Sequence, residues 1–477
     1  MREPRAAATG TTANDPGRFL SGSILRHVVV MSATGSIGLM AIFVVDLLSL
    51  LYVSQLGDPK LTAAVGFATI VQFFGIAITI GLMIAAGALV SRAIGRGDGA
   101  RARRLAASAT IHGILAAALF VAVTLPLMRP ALTFIGADAD TLPVAERFLW
   151  IVLPSTLLMA PGMMFSGLLR AVGAARQAMY VTLGGGIVTA IVDPILIFGC
   201  GLGVDGAAIA TCIARATFAL IGFWGVRRND LVARPTLADV VADAPEMMRI
   251  ALPAVLANLA PSVASAFIAH AVAQFGALAV AGNVVVDRLT PVAFGGLFAM
   301  SGSVGPILGQ NWGAGRFDRM REVLASGALV TAVYTGVVWA LLVVLREPLR
   351  ALFELQGVAA ELFLFFCLVS GPVWFFVGLL FLSNAAFNNL GFPFLSTALN
   401  WGRSTLGTMP PALLGGAMYG PAGVIAGVGI GSVAFGIAAV ALAWRTIGTL
   451  QARARAAVPP PEPPACEPVR VEEMVRG

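Results

Sequence analysis

Long apolar stretches without charge alternate along this chain with short clusters of arginine, glycine and proline. Residues 61–91, 105–128, 250–286, 289–315, 323–345, 362–402 and 404–444 contain no Asp, Glu, Lys or Arg. A helix crossing a bilayer needs about 20 predominantly apolar residues. Every one of these runs is long enough. With turn residues and charges as punctuation, the pattern predicts twelve spans, at about 27–54, 61–90, 105–128, 146–169, 177–199, 203–225, 248–273, 277–307, 323–345, 357–386, 393–417 and 421–444.

The pattern also repeats. Gly95-Arg96-Gly97 matches Gly313-Ala314-Gly315, Pro154 matches Pro372, and Gly173 matches Gly391, each pair 218 residues apart. Gly203-x-x-Gly206 matches Gly420-x-x-Gly423 at an offset of 217. Glycine totals 54, so any one pair means little; four pairs in one register, each at the same place relative to a span, mean a duplication. The expected fold is all-α and membrane-embedded: twelve transmembrane helices in two six-helix lobes related by a parallel internal repeat. Such repeats are typical of secondary transporters with a central site between the lobes.

Composition narrows the class further. Of 477 residues, 58% are hydrophobic and only 12% charged, and the mean hydropathy is +0.89. A soluble domain carries about 25% charged residues, so a soluble globule is excluded. The net charge of +7 does not imply nucleic acid, because arginines in inner loops account for it. With the N-terminus inside, short inner loops hold fourteen Arg and short outer loops five Arg or Lys. That bias predicts both termini in the cytoplasm of a multi-pass plasma-membrane (cell inner-membrane) protein. The four cysteines show no C-x-x-C spacing, which makes a metal site or disulfide framework unexpected. Residues 1–20 are polar and the first apolar stretch is too long for a signal-peptide core, so no cleavable signal is expected. The implied organisation is a disordered N-terminus (1–24), an N-lobe (25–228), a cytoplasmic linker (229–246), a C-lobe (247–445) and a Pro-rich disordered tail (446–477).

Ionisable residues deep in hydrocarbon cost about 2.5–3.5 kcal/mol each and are functional suspects by default. Asp46 lies in AIFVVDLLSLLYV and Asp193 in IVTAIVDPILIFG. At 1.5 Å per residue from the outer helix ends, both fall roughly 9–15 Å deep in one lobe. Pro194 lacks an N–H and frees a carbonyl four residues back. Thr189 stands one turn before Asp193, and Thr211 lies roughly 12 Å deep in the sixth span. Two carboxylates, a freed carbonyl and two hydroxyls at one level suit a small hard cation such as Na⁺, which prefers oxygen ligands. Two close carboxylates equally suit a shared proton. Asp46 and Asp193 are therefore candidate cation (or metal-ion) ligands, with Thr189 and Thr211 beside them. The second lobe holds Pro410-Pro411 and Ala264 at the repeat positions of the acids, so ion chemistry belongs to the first lobe alone. Asp287 and Arg288 are neighbours in the eighth span and point about 100° apart; one of them faces a central substrate cavity in this reading, and Asn258 is a further polar candidate there.

The residues resemble the multidrug and toxic compound extrusion (MATE) transporters. The carriers of the resemblance are VVDLLSLLYVSQLGDPKLTAAVG, the paired segments LVSRAIGRGDGARARR and GQNWGAGRFDR, VDPILIFGCGLGVDGAAIAT and NAAFNNLGFP, over about residues 25–445. The resemblance implies a V-shaped pair of lobes exporting organic, often cationic, compounds, driven by Na⁺ or H⁺ moving inward. Asp46 matches the family's coupling acid in the first span; Asp193 and Thr211 match first-lobe cation positions of some branches. Thr189 stands where those branches often carry Asn. Another branch has a Glu eight residues after a Leu-Pro in the seventh span; here Leu252-Pro253 is followed at that spacing by Pro261, with Asn258 the nearest polar residue.

The expectation is thus an antiporter, not an enzyme, working by alternating access as a monomer on small organic substrates in the lipid bilayer. It needs no cofactor beyond the coupling ion, Na⁺ or H⁺, and binds no nucleic acid. A lipid-linked saccharide flippase of the wider superfamily is the alternative, and would be expected to show a strongly basic cavity. No motif of an intramembrane hydrolase is present.

Overall fold

The computed structural model describes residues 17–456. The disorder predicted for 1–16 and for the Pro-rich tail from 457 onward lies outside the described residues. Among them the chain is all-helical, and eleven segments are long and apolar enough to cross a membrane. They are α1 (Ile24–Ser54), α2 (Pro59–Gly95), α3 (Gly99–Ile135), α4 (Leu142–Ala171), α5 (Ala175–Gly199), α6 (Gly203–Arg228), α7 (Leu237–Ala273), α8 (Ala277–Gly313), α9 (Phe317–Leu352), α10 (Gly357–Leu390) and a last segment, Pro393–Ala456. That last segment comprises α11 (Pro393–Ser404) and α12 (Met409–Ala456).

The last segment does not run straight. Tyr419 and Gly420 leave helical geometry, Gly420 with φ 64°, a conformation that favours glycine. A methyl group on Gly423 would meet the carbonyl of Gly415, one on Gly427 that of Pro411, and one on Gly431 that of Gly407. The pairs move apart in step from Gly420, so the chain folds back on itself as a helical hairpin. Lipid gives helices no hydrophobic reason to associate, and small residues that let backbones approach are the usual glue.

The helices start where capping chemistry allows. Asp58 accepts a hydrogen bond from the Lys60 amide and Asp98 one from the Arg101 amide. At α7, Thr236 and Asp239 exchange bonds in a capping box. That cap shortens the predicted linker 229–246 to residues 229–236. Asp243, expected in the linker, is buried in α7, with Arg104 and Ser108 of α3 donating to it at 2.9 Å each. Order also reaches beyond both predicted lobe ends. Arg18–Leu20 form a 3-10 turn with Phe19 only 2% exposed, and helix continues through the predicted start of the tail to Ala456. Hydropathy fades where charges begin, but a capped hydrogen-bond ladder continues past that point.

Helices α1–α6 pack among themselves, as do α7–α12, and the two groups meet through α1 and α2 against α7 and α8. Helix starts at Pro59 and Ala277, Gly99 and Phe317, and Ala175 and Pro393 are each 218 residues apart.

The contact between halves is lopsided along the helices. At the arginine-rich end it is tight. Gly95, Gly309 and Gly313 leave no room for a methyl group against Gln310, Ser91 and Arg92 of the facing helix. Buried Arg92 donates to the carbonyls of Asn389 (2.7 Å) and Asn388 (2.9 Å) and lies 4.4 Å over the Trp312 ring. Gln310 donates to the Ala171 carbonyl and accepts from the Phe19 amide. Apolar clusters follow the same division. Near this end they mix residues of both halves, for example Met31 with Met300 and Leu168 with Ile250. Toward the other end, Val53, Leu132 and Leu149 form a cluster of first-half residues, and Ala271, Ala412 and Val424 one of second-half residues. A cleft between the halves is therefore shut at the arginine-rich end and open at the other.

Candidate functional site

The site starts from the rotation of α1. Val45 abuts Gly186 of α5, Ser49 reaches α5, and Phe43 abuts Gly295 of α8. At 3.6 residues per turn, Asp46 projects between the α5 and α8 faces. Ile37, Val44 and Leu51, on the opposite face, are exposed where lipid would lie. Asp46 is itself exposed, and among the described residues no side-chain hydrogen bond or ion pair satisfies it. It faces the cleft.

Asp193 is the opposite case. It is 1% exposed, and the Ser49 hydroxyl donates to its Oδ2. Its Oδ1 is buried and has no partner among the described residues. A buried acceptor left unpaired costs about 1–3 kcal/mol, more when charged, so Oδ1 is the atom that a proton or small cation would satisfy. Ser49 lies three residues after Asp46, nearly one turn along α1, so one helix brings the exposed acid and the donor to the buried acid together. After Pro194 the α-helical ladder of α5 gives way to one π turn, Ile195–Gly199.

A guanidinium completes the pocket. Arg215 of α6 donates from Nη2 to the Gln72 side-chain Oε1 (2.7 Å) and from Nη1 to the Ser155 hydroxyl (3.0 Å) and the Val152 backbone carbonyl (3.1 Å). Held between α2 and α4, it touches no carboxylate of the described residues. Among those residues neither acid is ion-paired to an arginine.

The other predicted residues are placed as follows. The Thr189 hydroxyl donates to the Gly185 carbonyl (3.0 Å) and that of Thr211 to the Ala207 carbonyl (2.9 Å). Each spends its proton on its own helix and keeps only acceptor capacity. Neither bonds to Asp46 or Asp193. Asp287 and Arg288 are exposed, and Asp287 accepts from Asn283 one turn earlier (3.0 Å) rather than pairing with Arg288. Asn258 donates to the Ala254 carbonyl within α7. Ala264, at the second-half counterpart of Asp46, is 5% exposed. Among the described residues no three His, Cys, Asp or Glu side chains gather, so a metal ion here would need hydroxyl and carbonyl oxygens as well. Ser49 and Arg215 with its anchor Gln72 complete the site without having been singled out as ligands. Ser49 had a signal in its spacing from Asp46; Gln72 had none.

Comparison with known proteins adds three findings. The MatE family model matches residues 36–195 and again residues 253–413. The chain is 29% identical over 435 residues to a protein described as the FAD transporter of Shewanella oneidensis, covering 90% of this chain and 96% of that one. It is 24% identical over 317 residues to the multidrug export protein MepA of Staphylococcus aureus, covering 64% and 68%. Among solved structures it resembles the Vibrio cholerae MATE transporter VcmN in its bent form, with a TM-score of 0.84, 24% identity and coverage of 89% and 97%. An outward-facing MATE transporter structure matches with a TM-score of 0.85 at 22% identity, covering 93% and 99%.

Proposed function

The chain belongs to the MATE family of transporters, and from that premise we propose that it is a cation-coupled antiporter that exports organic, often cationic, compounds by alternating access. We count the folded-back last segment as two crossings, which makes twelve spans in two six-helix lobes. The shut, arginine-rich end is read as cytoplasmic by the positive-inside rule, so the cleft opens outward and both termini are inside.

One observation carries the reading. Asp193 is buried with an oxygen unpaired among the described residues, tied by Ser49 to the helix whose Asp46 faces the cleft. A cation, Na⁺ or H⁺, enters from the cleft at Asp46 and neutralises the pocket at Asp193. The lone pairs of Thr189 and Thr211 are available to a Na⁺ ion. Neutralisation removes the electrostatic reason for the α1–α5 tie and so alters how the first half packs. Exchange follows only if cation and substrate favour different states, since a ligand shifts an equilibrium by its differential affinity alone. A charge moved through the full membrane potential supplies about 2.3 kcal/mol per 100 mV. The single chain, in the bilayer, is the working unit in this reading.

The full-length match to a FAD transporter favours a second substrate reading, in which the exported compound is a flavin nucleotide. The relatives named above are transporters of the family and none is a saccharide flippase, so the flippase alternative gains no support. The experiment that tests the reading uses the purified chain in liposomes, with Na⁺ and pH gradients imposed separately and Asp46→Asn alongside. The expected outcome is uptake of a fluorescent cation driven by one of the two gradients and lost in the variant. Gradient-driven uptake at the parental rate in Asp46→Asn would remove Asp46 from coupling.

A further inference from the structure

The acids of the first half leave the second half of the cleft without a task, and its wall on α8 is distinctive. Val280, Val284, Asp287 and Phe298 are exposed, three to four residues or whole turns apart, and so share one face. Phe298 is 36% exposed in a stretch, 294–300, whose other members are all buried. It lies between the face that Gly295 turns to α1 and the face that Phe294 turns to α10. Further down the same face come Gly302 and Gly309, and there the halves shut against Arg170 and Ser91. Phe298 is therefore the floor of the cleft, the last open position before the closed end.

The ring at that floor is fixed in place from behind. Phe298 sits 5.1 Å from Phe381 and 6.0 Å, edge to face, from Trp374. Trp374 in turn stacks on fully buried Phe294 at 4.9 Å with 7° between the planes. The four rings thus run Phe381–Phe298–Trp374–Phe294, with Phe298 exposed and held on two sides. A ring held by its neighbours loses little side-chain freedom when a ligand lies on it, which is what makes rigid aromatics effective contact surfaces. Asp287 stands on the same face about three turns higher, roughly 16 Å away, too far to reach a ring stacked on Phe298.

We infer that Phe298 is the stacking surface for a fused planar aromatic ring of the exported compound, and that substrate and coupling cation occupy opposite halves of the cleft instead of competing for one carboxylate. The inference rests on the export reading above and deepens it by assigning the substrate's ring a place. Coupling then runs through the shape of the cleft: neutralising the first half changes how it closes over a substrate seated on the second.

The test uses two cations of equal charge, planar ethidium and aliphatic tetrapentylammonium, with the full chain in liposomes for transport and in detergent for binding. Phe298→Ala is expected to raise the KM and Kd for ethidium roughly three- to tenfold, as loss of one aromatic pair would, leaving kcat and the tetrapentylammonium constants unchanged. Phe298→Trp should restore ethidium. Asp46→Asn, inactive in gradient-driven transport, should still bind ethidium within about twofold of the parent, as distant independent sites do. Equal losses for both cations in Phe298→Ala, or loss of ethidium binding in Asp46→Asn, would overturn the inference. Failure of the parent to move either cation would count against the export reading instead, and the binding arm would still decide the role of Phe298.

Discussion

The parts of α1, α5 and α6 away from the arginine-rich end and the second-half segments 218 residues on hold opposite chemistry. The first set buries a carboxylate, exposes another and braces a guanidinium with a glutamine and a serine. The second has Ala264 and Pro410-Pro411 at the positions of the two acids, with a glycine seam between the two arms of the hairpin that bends at Gly420. Duplication sets where a polar pocket is able to form. Side-chain substitution then decides whether one does. A segment without those acids can be packed backbone to backbone, and the hairpin is.

The sharpest way to break this contrast is to attack the seam. In Gly431→Leu the side chain meets the Gly407 carbonyl, a backbone atom unable to swing aside. Overpacking of this kind costs about 3 kcal/mol at its upper range. The expected result is a strongly lowered melting temperature of the purified protein, with any surviving molecules keeping the parental ion dependence. Asp193→Asn should act the other way round, with near-parental stability and gradient-driven transport reduced by about a hundredfold, the scale of a lost buried charged interaction. Transport assays beside thermal melts separate the two variants.

Smaller changes sharpen the assignment inside the first half. Ser49→Ala removes the one donor seen on Asp193 and should cost about tenfold in transport, the scale of a single hydrogen bond to a charged group; cysteine substitution at neighbouring α1 positions would show whether α1 loosens from α5 as well. Thr211→Ala is expected to do least, within about twofold, because its hydroxyl proton already serves its own helix and helix-packing bonds of this kind contribute little. A large effect confined to Na⁺-driven transport would instead make Thr211 an ion ligand.

Much of the candidate site was legible in the linear chain. Asp46 and Asp193 stand out because charge in an apolar run is costly, and their similar depth follows from counting residues at a fixed rise. What counting does not reveal is difference in environment. The two acids read alike, yet one faces the cleft and the other is buried, because helix rotation and a neighbour's hydroxyl 144 positions away decide it. Thr189 and Thr211 were legible as hydroxyls at the right depth, while their bonds to Gly185 and Ala207 appear only once the helix is built. Predicted span limits fall short at both ends of α3 and α9, which run Gly99–Ile135 and Phe317–Leu352 against 105–128 and 323–345, because a helical hydrogen-bond ladder continues beyond the apolar run.

By itself the sequence determined the membrane class, the rough limits of the apolar runs and the lack of acids at the second-half repeat positions of Asp46 and Asp193. These depend on local hydropathy and spacing, which each segment carries with it. Tertiary structure alone decided that Ser49 serves Asp193, that Gln72 and Ser155 brace Arg215, that Arg92 and Phe19 help shut one end, and that Phe298 forms the floor of what remains open. Each of those depends on which face of a helix meets which neighbour. That choice is made by close packing between segments far apart in the chain, and no single segment encodes it.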